Sequence, residues 1–135
     1  TQASVKRMRE AGIRVLVGGD YGLNITPHGT YAKELQYFTD YFGFSPGEAL
    51  QAATKHGGEA FMPDGSLGTL EAGKIADMVI VKGNPLEQIG VLQDADAIAA
   101  VIKEGQIYAG LLDNQSPHQK NAEQLNQLLG ARPCN

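Results

Sequence analysis

The chain has 135 residues, a net charge of −4, a hydrophobic fraction of 42% and a charged fraction of 19%. These values suit a globular chain with its own core, and the acidic balance argues against a nucleic-acid partner, which would require a basic surface. No apolar run approaches the about 20 residues of a membrane helix, and the polar start is unlike a signal peptide, so we expect no membrane partner and favour a soluble, cytoplasmic protein.

The first half of the chain predicts a helix, a strand and a further helix. The apolar positions of residues 3–11 recur on one helical face, and Gly12 ends that helix. Residues 13–18 form a β-branched apolar run that predicts a buried strand. A loop rich in Gly, Asn, Thr and Pro follows over residues 20–30, and residues 31–42 have the spacing of a helix.

Turn and strand signals replace this pattern after a third predicted helix. Ser45 and Glu48 have the spacing of a capping box, with proline at the first helical position, and the helix is expected to reach about residue 61. Residues 66–110 predict a small β unit with strands at 77–83, 98–103 and 106–108, the last two joined at Glu104-Gly105. The polar tail predicts one helix near residues 122–129.

Asp20 is the most informative single residue, because it follows the apolar run at Gly18-Gly19. In α/β folds, ligand-binding and catalytic groups collect at the carboxyl ends of strands. A carboxylate at this position therefore indicates part of an active site. The alternative is an aspartate that caps a helix or stabilises the loop.

Several short sequence blocks follow one another along the chain. The most specific is the run Leu67-Gly68-Thr69-Leu70-Glu71-Ala72-Gly73-Lys74-Ile75-Ala76-Asp77. The other blocks are Gly-Gly-Asp20, Pro27-His28-Gly29, Glu34-Leu35, the residues 45–54, Gly83-Asn84-Pro85-Leu86 and Val101-Ile102-Lys103-Glu104-Gly105. Taken in order, these blocks resemble the C-terminal third of a metal-dependent amidohydrolase, in the branch of imidazolonepropionase and the Xaa-Pro dipeptidases. The resemblance covers about residues 1–110.

The resemblance implies an α/β fold in which this chain supplies the last strand and helices of a (β/α)8 TIM barrel, together with the C-terminal part of a β-sandwich. Residues 1–62 would belong to the barrel, 63–112 to the sandwich and 113–135 to a polar tail. Because a whole barrel takes about 250 residues, the preceding barrel segment would be a necessary partner. Homo-oligomers are also common in such families.

The resemblance further implies a divalent metal cofactor, zinc in the first place, as one or two ions. Asp20 would be both a metal ligand and the catalytic group that exchanges a proton with the attacking water. The histidines of this chain, at positions 28, 56 and 118, do not match the family's histidine ligands, so the remaining ligands are expected outside this chain.

Three residues of the loop after Asp20 are candidates for substrate binding: His28, and more weakly Tyr21 and Asn24. Loops after barrel strands lie on the catalytic face, so His28 could contact a substrate carboxylate or carbonyl. An exposed loop histidine without a role is an equally good interpretation. His56 is expected to be structural or exposed, and His118 to be inert.

The function implied by the resemblance is hydrolysis of a non-peptide or dipeptide-type carbon–nitrogen amide bond in a small substrate by metal-activated water. The isolated 135-residue chain is expected to be inactive, because one carboxylate does not make a tight transition-metal site. The alternative is a non-catalytic fragment or subunit that needs a partner chain carrying the histidine ligands.

Overall fold

A computed structural model describes residues 2–110 of the chain. The predicted tail helix and His118 lie outside the described residues. Within this range four α-helices come first: α1, Gln2–Glu10; α2, Lys33–Phe42; α3, Pro46–Gln51; and α4, Gly57–Phe61. A π-helical segment, Ala52–His56, joins α3 to α4, so the predicted third helix is present but not uniformly α-helical.

In the described part of the chain, three antiparallel strands form a sheet: β1, Met78–Val81; β2, Ile98–Lys103; and β3, Gln106–Gly110. The strand order is β1-β2-β3, with β2 in the centre. Two short 3-10 helices, Ile89–Gln93 and Ala95–Ala97, fill the connection from β1 to β2. The β unit predicted over residues 66–110 is confirmed by these strands.

The strand predicted over residues 13–18 is wrong for the described structure, in which this segment is neither helix nor strand. A strand needs a neighbour with which to form a hydrogen-bond ladder, and none of residues 2–110 pairs with this run. Burial is also partial: Val15 and Val17 pack against the helical core, whereas Ile13 and Leu16 are 57% and 40% exposed.

The core lies between the helices and the first 3-10 helix. Its buried members are Leu35 and Phe38 of α2, Ala49, Ala52 and Ile89. Since Ile89 belongs to the connection between β1 and β2, this contact attaches the sheet region to the helices. The core also gives residues 13–18 a surface on which to lie.

The predicted capping box at the start of α3 is confirmed. The Ser45 hydroxyl accepts from the Glu48 N–H, and the Glu48 carboxylate accepts from the Ser45 N–H at 2.7 Å. Arg9 of α1 joins this helix start, donating to Glu48 at 2.9 Å and stacking 4.0 Å from the centre of the Phe44 ring. These contacts attach the C-terminal end of α1 to the junction between α2 and α3.

Candidate active site

Asp20 closely follows residues 13–18, which lie against the helical core, and it begins the loop that leads to α2. The residue is exposed. Its backbone carbonyl accepts a hydrogen bond from Thr26 Oγ1 at 2.7 Å, so the main chain is fixed on the loop side. No other residue in the range 2–110 makes a hydrogen bond or ion pair with its carboxylate, which is therefore available to a ligand.

The loop after Asp20 folds back on itself through its own backbone. The Gly22 N–H donates to the Thr26 carbonyl at 2.9 Å, and the Thr26 N–H donates to the Leu23 carbonyl at 3.0 Å. Asn24 lies exposed in the turn that these bonds close. Its side chain makes no hydrogen bond to any described residue, so it is open to solvent or to a ligand.

Tyr21 connects the loop to α2. Its hydroxyl lies 3.4 Å from Glu34 Oε2 and 3.3 Å from the Tyr31 carbonyl, and its ring meets the Tyr31 ring edge-on at 4.5 Å between centroids. Burial, and then the negative charge of Glu34, raise the pKa of Tyr21 above its ordinary value. The phenol is therefore a neutral hydrogen-bond donor at neutral pH.

His28 lies exposed on the same loop, with one ring nitrogen engaged. Nδ1 and the Tyr31 hydroxyl are 2.7 Å apart and share a hydrogen bond. Nε2 has no hydrogen-bond partner among residues 2–110, so it is the ring atom open to a ligand. Gly22 lies close by: a Cβ atom there would be 3.1 Å from Nε2, and its φ of +110° also favours glycine.

His56 lies apart from this group. It lines a groove of about 540 Å³ together with Lys6, Arg9, Arg14 and Glu48, among other residues, and Asp20 and its loop do not line that groove. The basic groups there are largely paired: Arg14 bonds to Glu59 at 2.6 Å and Arg9 to Glu48. The expectation that His56 is structural or exposed stays a prediction.

No cluster of three or more His, Cys, Asp or Glu side chains suited to a metal ion occurs within the described part of the chain. Asp20 supplies one donor of the required type, whereas transition-metal sites in proteins use three or four ligands. The described residues therefore fit one ligand of such a site and do not fit a complete one.

Within residues 2–110, no helix is long and apolar enough to cross a membrane.

The model of the Amidohydrolase family matches residues 1–108 of this sequence. The chain belongs to the amidohydrolase family. It is 35% identical to the ochratoxinase of Aspergillus niger over 102 residues, which are 75% of this chain and 20% of that protein. It is 31% identical to the imidazolonepropionase of Symbiobacterium thermophilum over 105 residues, 78% of this chain and 25% of that enzyme.

Solved structures of amidohydrolase relatives are also similar to the structure of this chain. The crystal structure of A. niger ochratoxinase matches with a TM-score of 0.73 and 30% identity, covering 87% of this chain and 28% of that one. A Xaa-Pro dipeptidase with bound methionine matches with a TM-score of 0.70 and 34% identity, over 81% of this chain and 25% of that one. The predicted branch is confirmed, and the chain spans only 20% to 28% of the length of these relatives.

Two residues of the site region were not predicted from the sequence as site residues: Tyr31, which contacts both Tyr21 and His28, and Glu34, which contacts Tyr21 and the backbone of Gly18. Tyr31 precedes α2 by two residues and Glu34 lies in its first turn, so both are outside the loop of residues 20–30. Glu34 occurs in one of the family-like blocks, which was the only available signal. No spacing rule connects a residue in the first turn of a helix with an amide sixteen positions earlier.

Proposed function

We propose that this chain is the C-terminal part of a hydrolase that cleaves carbon–nitrogen amide bonds in small amide or dipeptide-like substrates. Membership of the amidohydrolase family over residues 1–108 supports the reaction class. The site assignment rests on Asp20. Its carboxylate is exposed and has no side-chain partner among the described residues, while its backbone carbonyl is held by a hydrogen bond from Thr26.

Asp20 is the catalytic group that this chain contributes, and it is also one ligand of a divalent cation, with zinc as the first candidate and one or two ions per site. The other ligands lie outside the described residues. When bound, a divalent cation polarises the substrate carbonyl and makes water more acidic. Asp20 itself holds the proton removed from the attacking water and delivers it to the leaving nitrogen.

His28 contacts the carboxylate or carbonyl of the substrate through Nε2. Support comes from the hydrogen bond between Nδ1 and Tyr31, 2.7 Å long, which orients the ring and leaves Nε2 for a ligand. Asn24 is a further substrate contact at the exposed turn. Tyr21 is the weaker candidate for substrate contact, because its hydroxyl already bonds to the Tyr31 carbonyl and to Glu34.

The remaining catalytic parts belong to an N-terminal barrel segment, in which residues 13–18 take the place of the last strand. Two observations favour this arrangement. Residues 13–18 expose Ile13 and Leu16 to solvent, and α1 has no buried residue. The segment and the helix therefore both have apolar surface on which further residues could pack. By the same proposal, residues 1–62 complete the barrel and residues 63–112 belong to a β-sandwich.

The second candidate function is a non-catalytic fragment or a subunit whose partner chain carries the histidine ligands. The absence, among residues 2–110, of any cluster of three or more His, Cys, Asp or Glu side chains suited to a metal ion favours it. It predicts that this polypeptide alone binds no transition metal and is inactive, and that activity appears only on mixing with the partner.

The test is to assay the purified, complete protein against Xaa-Pro dipeptides, N-acyl amino acids and a cyclic amide, before and after chelation. We expect hydrolysis of at least one class, loss of turnover with chelator and recovery with a divalent ion. A metal-loaded, folded protein that hydrolyses none of these carbon–nitrogen bonds would contradict the proposed function. Appearance of activity only with a second polypeptide would favour the subunit alternative.

A further inference from the structure

Glu34 holds the chain on both sides of Asp20. Its Oε1 accepts a hydrogen bond from the Gly18 N–H at 3.1 Å, and its Oε2 accepts one from the Tyr21 hydroxyl at 3.4 Å. Gly18 precedes Asp20 by two residues and Tyr21 follows it directly. One carboxylate on α2 therefore bridges the two ends of the short segment that presents Asp20.

Side chains pack closely against one side of this segment. A Cβ atom on Gly19 would lie 2.5 Å from Tyr21 Cε2 and 3.2 Å from Glu34 Oε2, so the backbone passes tightly against both side chains. The Tyr21 ring packs edge-on against Tyr31. On the far side, Thr26 holds the Asp20 carbonyl.

The result is a fixed backbone that carries a free carboxylate. Asp20 is exposed and its side chain has no partner in the described range, while the residues before and after it are attached to α2. Both Glu34 oxygens already accept hydrogen bonds, so Glu34 is less suited than Asp20 to act on a substrate. Catalytic groups must be held close to their productive geometry, and a displacement of about 1 Å can cost about a hundredfold in rate.

We propose that Glu34 is the positioning residue for Asp20: it fixes the Gly18–Tyr21 segment so that the Asp20 carboxylate faces the reacting bond. The inference rests on the proposed function, because positioning has a catalytic consequence only if Asp20 is catalytic. It predicts that the hydrogen-bonding pattern of Glu34, and not its charge alone, sets the rate.

The experiment compares Glu34→Ala and Glu34→Gln in the complete protein, with kcat and KM measured separately. The alanine variant should lose about 10- to 100-fold in kcat with KM within about threefold of wild type. Glutamine keeps an acceptor for the Gly18 amide and a partner for the phenol, so it should recover at least a tenth of the wild-type kcat. Glu59→Ala is the matched control, because Glu59 is also a partly buried, paired carboxylate on a helix, and its kcat should not change.

Hydrogen exchange supplies a readout independent of turnover. The Gly18 amide should exchange at least about tenfold faster in Glu34→Ala than in wild type and stay protected in Glu34→Gln. If the alanine variant does not fold, Tyr21→Phe replaces it, since that change removes only the phenol end of the bridge and should still lower kcat. Unchanged kcat in a folded Glu34→Ala protein, or an equal loss in the alanine and glutamine variants, would overturn the proposal.

Failure of the positioning role can be separated from failure of the proposed function by Asp20→Asn. An inactive Asp20→Asn protein with a fully active Glu34→Ala protein would overturn the role of Glu34 alone. A fully active Asp20→Asn protein would overturn both.

Discussion

Gly68 lies where the turn before the sheet passes against the helices, and its replacement by alanine tests whether that approach is as close as the structure has it. A Cβ at position 68 would lie 2.5 Å from the Thr54 carbonyl oxygen, which is backbone, and φ is +97°. The left-handed conformation costs about 1–2 kcal/mol for a residue with a Cβ, and overpacking costs about 1–3 kcal/mol. Gly68→Ala should therefore destabilise this region by about 2–5 kcal/mol.

Two other glycines separate the two contributions. Gly73 has a φ of +86° but nothing within 4 Å of its Cβ position, so Gly73→Ala should cost about 1–2 kcal/mol, from conformation alone. Gly58 has no positive φ, yet its Cβ would lie 2.5 Å from the Leu67 carbonyl oxygen, so Gly58→Ala should cost about 1–3 kcal/mol, from the contact alone.

The assay is native-state hydrogen exchange, read as the opening free energy of amides over residues 54–61 for Gly58→Ala and Gly68→Ala, and over residues 72–77 for Gly73→Ala. Gly68→Ala should show the largest loss of the three variants. Equal losses for the variants at positions 68 and 73 would refute the close approach, because conformation alone would then explain both.

Three further predictions concern the helix start, the hairpin and the loop. Hydrogen bonds from Ser45, and then the charge of Arg9, hold the pKa of Glu48 below its ordinary value. Ionised Glu48 therefore stabilises the fold above about pH 4.5, and this contribution is lost as the pH falls through the lowered pKa. In Glu48→Gln, the melting temperature should depend less on pH in that acid range than it does in wild type. Asp77→Ala removes an acceptor 2.7 Å from the Glu104 N–H and should cost about 1 kcal/mol, seen as faster exchange of that amide, whereas an unchanged rate would contradict the contact. Gly22 has a φ of +110°, and a Cβ there would lie 3.1 Å from His28 Nε2. Gly22→Ala should therefore speed amide exchange across the loop at least about fivefold. Unchanged exchange rates would contradict the close packing of the loop around Gly22.

Local sequence signals predicted the helices and the sheet well, because the forces involved act over a few residues. The capping box at Ser45 closes within one turn, and Glu104-Gly105 closes the hairpin between β2 and β3. The Asp77 carboxylate, by contrast, accepts from the Glu104 amide. That partner lies 27 positions later in the chain, in the turn between β2 and β3, beyond the reach of local patterns.

The failures have a common physical origin in partners that are distant in sequence. An apolar β-branched run such as residues 13–18 becomes a strand only beside another strand, and none of the described residues provides one. The same limit applies to the site. Asp20 could be chosen from its position after glycines, but the contacts of Glu34 with Gly18 and Tyr21 depend on how α2 packs.

The central claim is that Asp20 is the catalytic group of this chain. The most direct test is to measure kcat for Asp20→Asn in the complete protein. His56→Ala serves as the control, because His56 lines the separate groove and lies apart from the Asp20 loop. The exposed position of Asp20 makes the substitution mild for the fold, so melting temperatures should agree with wild type within about 2 °C. Asp20→Asn should lower kcat by about 10²- to 10⁴-fold, the range of a general acid–base group, and His56→Ala should not lower it. A folded Asp20→Asn protein with kcat within about threefold of wild type would contradict the central claim.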